Sequence, residues 1–476
     1  MATVALVNPQ LATSSWGRGL RPQTMDDALP RHSLTVLSSP LKAAGHEVVL
    51  VDCRLLGGWD DYERLLRARR PDFVCATAHT SECDAALESL ARARRVLPSA
   101  RTVVGGIHFT MYPEAALDSG VVDFVVRGEG EVSFPALVAN PDGFAPVSWG
   151  ETPGDLDALP FEDRALYPDY AERTRFPLWD LPRPIVDVLT KRGCPWQCRF
   201  CCGPGEQNLF TRGSATSDRR YPTFRHRSVA NVITELRELE GRYGFRGVVF
   251  HDDQFIIRRD WVVEFCAALH AAGFVRRGVR WWAAVRADVI CREPELVARM
   301  AGAGQQIMSI GFESFSDRML RWMRKDTTRD ENLRAAEICH RLGLDLFANV
   351  IFGMPFEDGR WSLDDDLATL DAIRTMRPRY LSPSFFSPIP GSWLHRWAVE
   401  QDLVVADDPR RSGRRNPDEA KIRGVDYGVL EDLLGALHRE RDALFGGPPP
   451  LRTRLGGFLR RPLVKSAAVL RRALPS

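Results

Sequence analysis

Four of the chain's ten cysteines lie within nine residues, in Cys194-Pro195-Trp196-Gln197-Cys198-Arg199-Phe200-Cys201-Cys202. Cys194, Cys198 and Cys201 are spaced C-x3-C-x2-C, so one short loop can deliver three thiolates to a single centre. A [4Fe–4S] cube is held by thiolates. Three of them leave one iron open for a substrate or cofactor, as the open position does in a catalytic metal site. Structural zinc asks for a second Cys or Cys/His pair, which this chain does not offer. Cys202 makes C-x3-C-x3-C available as well; adjacent cysteines do not readily bind one cube, and Cys201 is the preferred third ligand. Cys53, Cys75, Cys83, Cys266, Cys291 and Cys339 are scattered singly and read as structural.

The elements that must position this loop follow from the hydrophobic pattern. From 1 to about 140, strand-like runs (Thr3–Val7, Glu47–Val51, Phe73–Thr77, Thr102–Val104, Phe124–Val126) alternate with helical ones (Leu34–Ala44, Glu82–Val96, Glu114–Asp118, Val132–Ala139). This alternation predicts an α/β fold with a doubly wound parallel sheet, whose ligands bind outside the strands' C-terminal ends. Residues 141–183 are rich in Pro, Gly and Asp without a period and read as a linker.

A second series covers 184–392. Its strands are Ile185–Thr190, Gly247–His251, Trp281–Val285, Ile307–Phe312, Leu344–Phe352 and Tyr380–Phe386. Its helices are Val229–Tyr243, Trp261–Ala271, Glu293–Ala303, Asp330–Leu342 and Leu363–Met376. Six strand–helix repeats are too few for a closed eight-stranded barrel and suit a partial (β/α)6 barrel. Residues 393–476 read as a small helical C-terminal region (Val429–Leu444) with a basic stretch at Arg410–Arg415, a Gly-Pro run and a basic tail.

Composition limits the function classes. With 476 residues, 44% hydrophobic and 26% charged, the chain is neither disordered, collagen-like nor a disulfide scaffold. Lys and Arg exceed Asp and Glu by 64 to 62, and no dense basic–aromatic stripe is present, which argues against nucleic acid as partner. No apolar run approaches the ~18 residues of a membrane helix. The N-terminal segment reads as a first strand instead of a signal peptide, so a cytoplasmic, reducing compartment is expected. The tail (Arg452, Arg454, Arg460, Arg461, Lys465, Arg471, Arg472) interleaves with Leu, Phe and Val. That pattern suits an anionic membrane surface, but a solvated tail is the preferred reading.

The motifs around the cysteines resemble those of the radical S-adenosylmethionine (SAM) superfamily, in the branch with an N-terminal cobalamin (B12)-binding-type domain. The resemblance spans about residues 1–390. It rests on Lys191-Arg192-Gly193-Cys194-Pro195, Phe250-His251-Asp252-Asp253-Gln254-Phe255 and Ile310-Gly311-Phe312-Glu313-Ser314. Lys325-Asp326-Thr327-Thr328 and Phe352-Gly353-Met354-Pro355 extend it, and Val104-Gly105-Gly106-Ile107-His108 and Gly128-Glu129-Gly130-Glu131 carry it into the N-terminal unit.

The resemblance implies Cys194, Cys198 and Cys201 as cluster ligands, Phe200 beside the adenine and Glu313 on the SAM ribose. Many members hold the methionine amine with Gly-Gly-Glu; here Asp252 or Asp253 is the candidate, with a helix-capping Asp pair the plain alternative. Arg286 is placed to pair with the SAM carboxylate, with a structural Arg as its alternative. Gly105 and Gly106 would let the backbone approach a cobalamin tail. The loop after the first strand has no His to ligate cobalt, so bound cobalamin stands beside a domain that keeps the fold without the cofactor.

The implied activity is reductive cleavage of SAM at a [4Fe–4S] cluster to a 5′-deoxyadenosyl radical, which functionalises an unactivated C–H bond of a small, natural-product-like molecule. Cobalamin-assisted C-methylation is the leading outcome. Cobalamin-independent dehydration or deoxygenation of a hydroxylated sugar, such as an aminoglycoside precursor, and radical cyclisation or rearrangement are the alternatives. An electron donor such as flavodoxin or ferredoxin is implied. No residue is singled out as a catalytic acid or base.

Overall fold

A computed structural model describes residues 1–9, 30–203, 224–405 and 422–445. Arg410–Arg415, the Gly-Pro run and the basic tail lie outside these residues, as does most of the loop after the first strand.

Five short, nearly all-apolar runs form β1 (Thr3–Asn8), β2 (Glu47–Asp52), β3 (Phe73–Thr77), β4 (Arg101–Gly105) and β5 (Phe124–Arg127). With β6 (Val147–Trp149) they make a parallel sheet of order β2-β1-β3-β4-β5-β6. β1 is flanked by β2 and β3, so the connections leaving β1 and β3 diverge there and open a crevice at the strands' C-terminal ends. Separate apolar cores fill the two faces of the sheet, as a strand buried on both sides requires.

The second sheet is also parallel and runs in strictly consecutive order: β7 (Ile185–Val188), β10 (Gly247–Phe250), β11 (Arg280–Ala284), β12 (Gln305–Glu313), β13 (Asp345–Phe352) and β14 (Tyr380–Phe385). Between β7 and β10 a two-residue antiparallel pair, β8 (Lys191–Arg192) with β9 (Arg225–His226), leads into the cysteine loop. The helices Val229–Tyr243, Arg259–Ala271, Pro294–Gly302, Arg329–Arg341 and Leu363–Met376 cover this sheet, and all five contribute to its main core. The α/β class, the doubly wound N-terminal sheet and the six-stranded second sheet agree with the sequence reading.

Three elements differ from that reading. The helix Trp59–Arg69 was not expected: its buried stripe is only Tyr62, Glu63 and Leu66, too narrow to stand out among five Arg/Asp/Glu neighbours. Residues 141–183 are more than a linker. They supply β6 to the first sheet, and Leu178 and Leu181 pack with Ile185, Val249, Ile307 and Tyr380 against the second. The C-terminal region is joined to the site by the short helix Trp393–Glu400, capped by Ser392, whose Leu394 N–H donates to the Arg199 carbonyl at 2.9 Å. Among the described residues, no helix is long and apolar enough to cross a membrane.

Candidate active site

The cysteine loop leaves β8 through Gly193 at φ +83°, a conformation open to glycine at no steric cost. Its base is clamped by Asp252, the second residue after β10. One carboxylate oxygen accepts from the N–H groups of Thr190 (2.8 Å) and Lys191 (3.0 Å). The other accepts from Thr190 Oγ1 (2.6 Å) and Lys191 Nζ (3.3 Å). Lys191 also donates to the Phe255 carbonyl at 2.9 Å, with its ammonium over the rings of Phe255 and Trp261 at 4.2 and 4.7 Å. Asp252 is 3% exposed and its oxygens are fully occupied inside the protein. Asp253 next to it is exposed to a cavity and has no hydrogen-bond partner among the described residues; burial and the Asp252 charge raise its pKa.

Within the loop the Cys201 N–H donates to the Cys198 carbonyl, and the Gly203 N–H reaches Cys201 Sγ at 3.4 Å. A hydrogen bond from Cys202 brings the Cys201 thiol down to about 7; burial opposes this and the Gly203 N–H assists. Burial pushes Cys194 up to about 11, and it raises Cys198 against the pull of Lys325 and Arg286. Arg286 reaches Cys198 Sγ at 3.5 Å, pairs through Nε with Asp288 (2.8 Å) and donates to the Lys325 carbonyl. Its guanidinium is therefore occupied at the cysteine loop, a placement that favours a buried thiolate. A loop of three cysteines with a fixed guanidinium beside one sulfur fits an anionic iron–sulfur cluster.

Glu313 ends β12. A register shift between Gly311 and Glu313 and a left-handed backbone at Glu313 (φ +62°) accompany the turn-out of its carboxylate. Lys325 Nζ donates to Glu313 Oε1 at 3.0 Å and sits 5.7 Å from the Phe200 ring centre. A Cβ on Gly311 would lie 2.3 Å from Glu313 Oε1, so the glycine in Gly311-Phe312-Glu313-Ser314 makes room for the carboxylate. Phe200 packs at the edge of a cluster containing Met319, Trp322, Met323 and Leu394.

Two cavities face one another across the two units. The first, about 280 Å³, lies at the divergence of β1 and β3 and is lined by Leu6, Cys75–Thr77, Val103–Gly106, Val126 and residues of the helix His32–Ala43. Gly106 (φ +91°) is required here: a Cβ would stand 2.6–2.9 Å from Thr77 Oγ1 and the backbone N and O of Ala78. The second, about 310 Å³, is lined by Ile107, Thr110, Lys191, Gly193, Cys194, Gly203, His251 and Asp253. Gly106, Gly128, Glu129, Leu189 and Arg192 line both. His108 lines neither; it is buried, with Nδ1 3.2 Å from Thr80 Oγ1.

The pins between the units escaped the sequence reading. Arg192 pairs with Glu129 (2.9 Å) and Glu131, and Arg225 with Glu129. Gly150 lets β6 run against this acidic turn, because a Cβ there would collide with the Glu129 carbonyl. The acidic turn was visible as a motif, but nothing along the chain marks which arginines, 61 to 96 residues away, would meet it.

A three-cysteine loop at the C-terminal ends of one parallel sheet opens onto a ligand crevice in another, an arrangement suited to an iron–sulfur cluster beside a second cofactor. The chain carries a radical SAM domain, whose superfamily model matches residues 188–364, and a B12 binding domain over residues 27–138. An uncharacterized methyltransferase of Pyrococcus horikoshii is 25% identical over 371 residues, 74% of this chain and 75% of that protein. The anaerobic magnesium-protoporphyrin IX monomethyl ester cyclase of Rubrivivax gelatinosus is 28% identical over 380 residues, 75% of this chain and 64% of its own length. Among solved structures, the radical SAM methyltransferase TsrM from Kitasatospora setae, with cobalamin and a [4Fe-4S] cluster bound, superposes with a TM-score of 0.64 at 19% identity. The match covers 93% of this chain and 92% of that one.

Proposed function

We propose that this protein is a cobalamin-dependent radical SAM enzyme that transfers a methyl group to carbon in a small molecule. The observation that carries the reading is the chamber: five residues line both cavities, so the crevice of the B12 binding domain opens directly onto Cys194 and Asp253. The residues fit both cofactors. The first cavity is predominantly apolar and has glycine backbone at its mouth, which suits a flat heteroaromatic tail. The cysteine loop supplies three thiolates, and Arg286, just after β11, stands beside the Cys198 sulfur as a cationic partner.

When bound, the cluster supplies the electron for reductive SAM cleavage and cobalamin carries the methyl group, so the hard chemistry belongs to the cofactors. The chain's part is placement. Cys194, Cys198 and Cys201 hold the cluster. Asp253, unpaired and facing the chamber, takes the methionine amine of SAM. Glu313 keeps Oε2 without a partner among the described residues while Lys325 fixes Oε1, which leaves one oxygen for the ribose hydroxyls. Phe200 offers a face to the adenine. Asp252 and Arg286 act behind them, the first on the loop and the second on Cys198. The ion pairs of Arg192 and Arg225 with Glu129 hold the two units together and exclude water from the chamber between them. A low-potential protein such as flavodoxin or ferredoxin supplies the electron.

The test is anaerobic reconstitution with hydroxocobalamin present. About four irons and one cobalamin per chain are expected, with reductive SAM cleavage and methyl gain on an acceptor. Alanine at Cys194, Cys198 or Cys201 should remove the iron, and alanine at Cys202 should leave it. Failure to bind cobalamin stoichiometrically overturns the methyl-transfer reading. A product of unchanged carbon count would point instead to the ring-closing chemistry named for the Rubrivivax relative.

A further inference from the structure

Beside the chamber, where the two units meet, three neighbouring residues each hold a buried polar atom without a hydrogen-bond partner: His32 Nε2, Asp187 Oδ2 and His251 Nε2. His32 opens the first described helix of the B12 binding unit, whereas Asp187 lies on β7 and His251 follows β10 of the radical SAM unit. One ligand atom from each residue lies within 4.8 Å of the other two. His32 Nε2 and Asp187 Oδ2 are 3.1 Å apart, yet their geometry makes no hydrogen bond. Asp187 is wholly buried, so leaving that oxygen without a hydrogen bond is costly, and the His32 imidazole at ion-pair distance offsets the cost only when protonated.

The surroundings have the form of a metal site's outer shell. His32 Nδ1 is held by both oxygens of Glu162 at 2.8 and 3.0 Å, which turns Nε2 inward. Glu162 is itself fixed by Thr35 Oγ1 at 2.8 Å. The second oxygen of Asp187 accepts from the Tyr170 hydroxyl at 3.0 Å. A carboxylate behind a ligating imidazole, and a hydrogen-bonded ligating carboxylate, are the usual supports of first-row metal ligands.

We propose that His32, Asp187 and His251 bind one divalent transition-metal ion that ties the B12 binding unit to the radical SAM unit. Two imidazoles and one carboxylate suit zinc, and equally ferrous iron. Bonds of ~2.1 Å place tetrahedral ligand atoms about 3.4 Å apart, so closing the site asks for a shift of about an ångström. Because His251 also lines the chamber, a remaining coordination position is available to water or substrate from that side. The site is separate from the cysteine loop, and its existence does not depend on the methyl-transfer reading.

The test uses the full chain, purified anaerobically with its cluster, incubated with excess Zn²⁺ and desalted. Elemental analysis should find about one zinc per chain in addition to cluster iron. X-ray absorption at the zinc edge should show N/O neighbours at ~2.0–2.1 Å and no sulfur at ~2.3 Å. His251→Ala and Asp187→Asn should each reduce zinc to background while iron is unchanged. If Asp187→Asn does not fold, His251→Ala and the wild-type absorption spectrum decide. Zinc that is not retained, has sulfur neighbours, or survives His251→Ala overturns the proposal. The cluster would then be a protonated His32 held between Glu162 and Asp187.

Discussion

Asp252 and Asp253 are adjacent in sequence, and the function proposed above gives them opposite duties that one pair of variants can separate. In Asp252→Asn the amide oxygen can still accept from the Thr190 and Lys191 N–H groups, but the amide nitrogen replaces the oxygen that faces Lys191 Nζ. The Lys191 ammonium is then buried without its counterion. Removing one partner of a buried ion pair costs ~3–5 kcal/mol. The Phe255 carbonyl and two aromatic faces remain to Lys191, which places the cost near the lower end.

At ~2–4 °C per kcal/mol, a loss of about 3 kcal/mol lowers Tm by roughly 6–12 °C. Burial already depresses the Lys191 pKa against the pull of Asp252, and removing the carboxylate depresses it further. The unfolded chain then binds the extra proton, so stability rises with pH and the defect should shrink as pH climbs toward the ordinary lysine value of ~10.4. Asp253→Asn should leave Tm and iron content unchanged and weaken SAM binding, read by equilibrium dialysis of the reconstituted protein. Wild-type stability with full iron and lost SAM binding in Asp252→Asn would refute the assignment, as would an Asp253→Asn variant that is destabilised yet binds SAM normally.

Gly106→Ala forces a Cβ to within 2.6–2.9 Å of Thr77 Oγ1 and the Ala78 backbone at a φ of +91°. The loop must move, so cobalamin affinity should fall at least about tenfold, or ~1.4 kcal/mol, with iron retained; unchanged affinity in a visible-spectrum titration would exclude the first cavity as the cobalamin site. Asp366 accepts from Trp361 Nε1 at 2.7 Å and from the Gly353 N–H, and burial raises its pKa to about 7. The native state thus keeps a proton that the unfolded chain releases near ~3.9, so stability falls as pH rises from about 4 to about 7. Asp366→Asn keeps the acceptor and removes the titration. It should flatten that slope in urea denaturation and gain up to ~4 kcal/mol on the parent above pH 7; an identical slope in both proteins would exclude Asp366 as its source.

What could be read from the chain was whatever is local in sequence. Strand positions show as short apolar runs because both faces of a parallel strand are buried, and the cysteine loop shows because three ligands fall within eight residues. The difficulties lie where meaning depends on partners far along the chain. Arg286 looks from sequence like a partner for a carboxylate, and one appears two residues away at Asp288, with the Cys198 sulfur 88 residues away. Asp252 looks like a strand-end ligand, and the structure gives all its acceptor capacity to residues 61 and 62 positions earlier. Of two neighbouring carboxylates at a strand end, pleat and turn send one into the protein and one into the cavity, and sequence carries no sign of which. The same reasoning applies to His32, which is separated from Asp187 and His251 by more than 150 residues of chain and by the boundary between two folding units. A motif search within either unit finds only part of that triad, because the property that matters, three residues with unsatisfied buried atoms and a ligand atom each within 4.8 Å, exists only after the units are packed together.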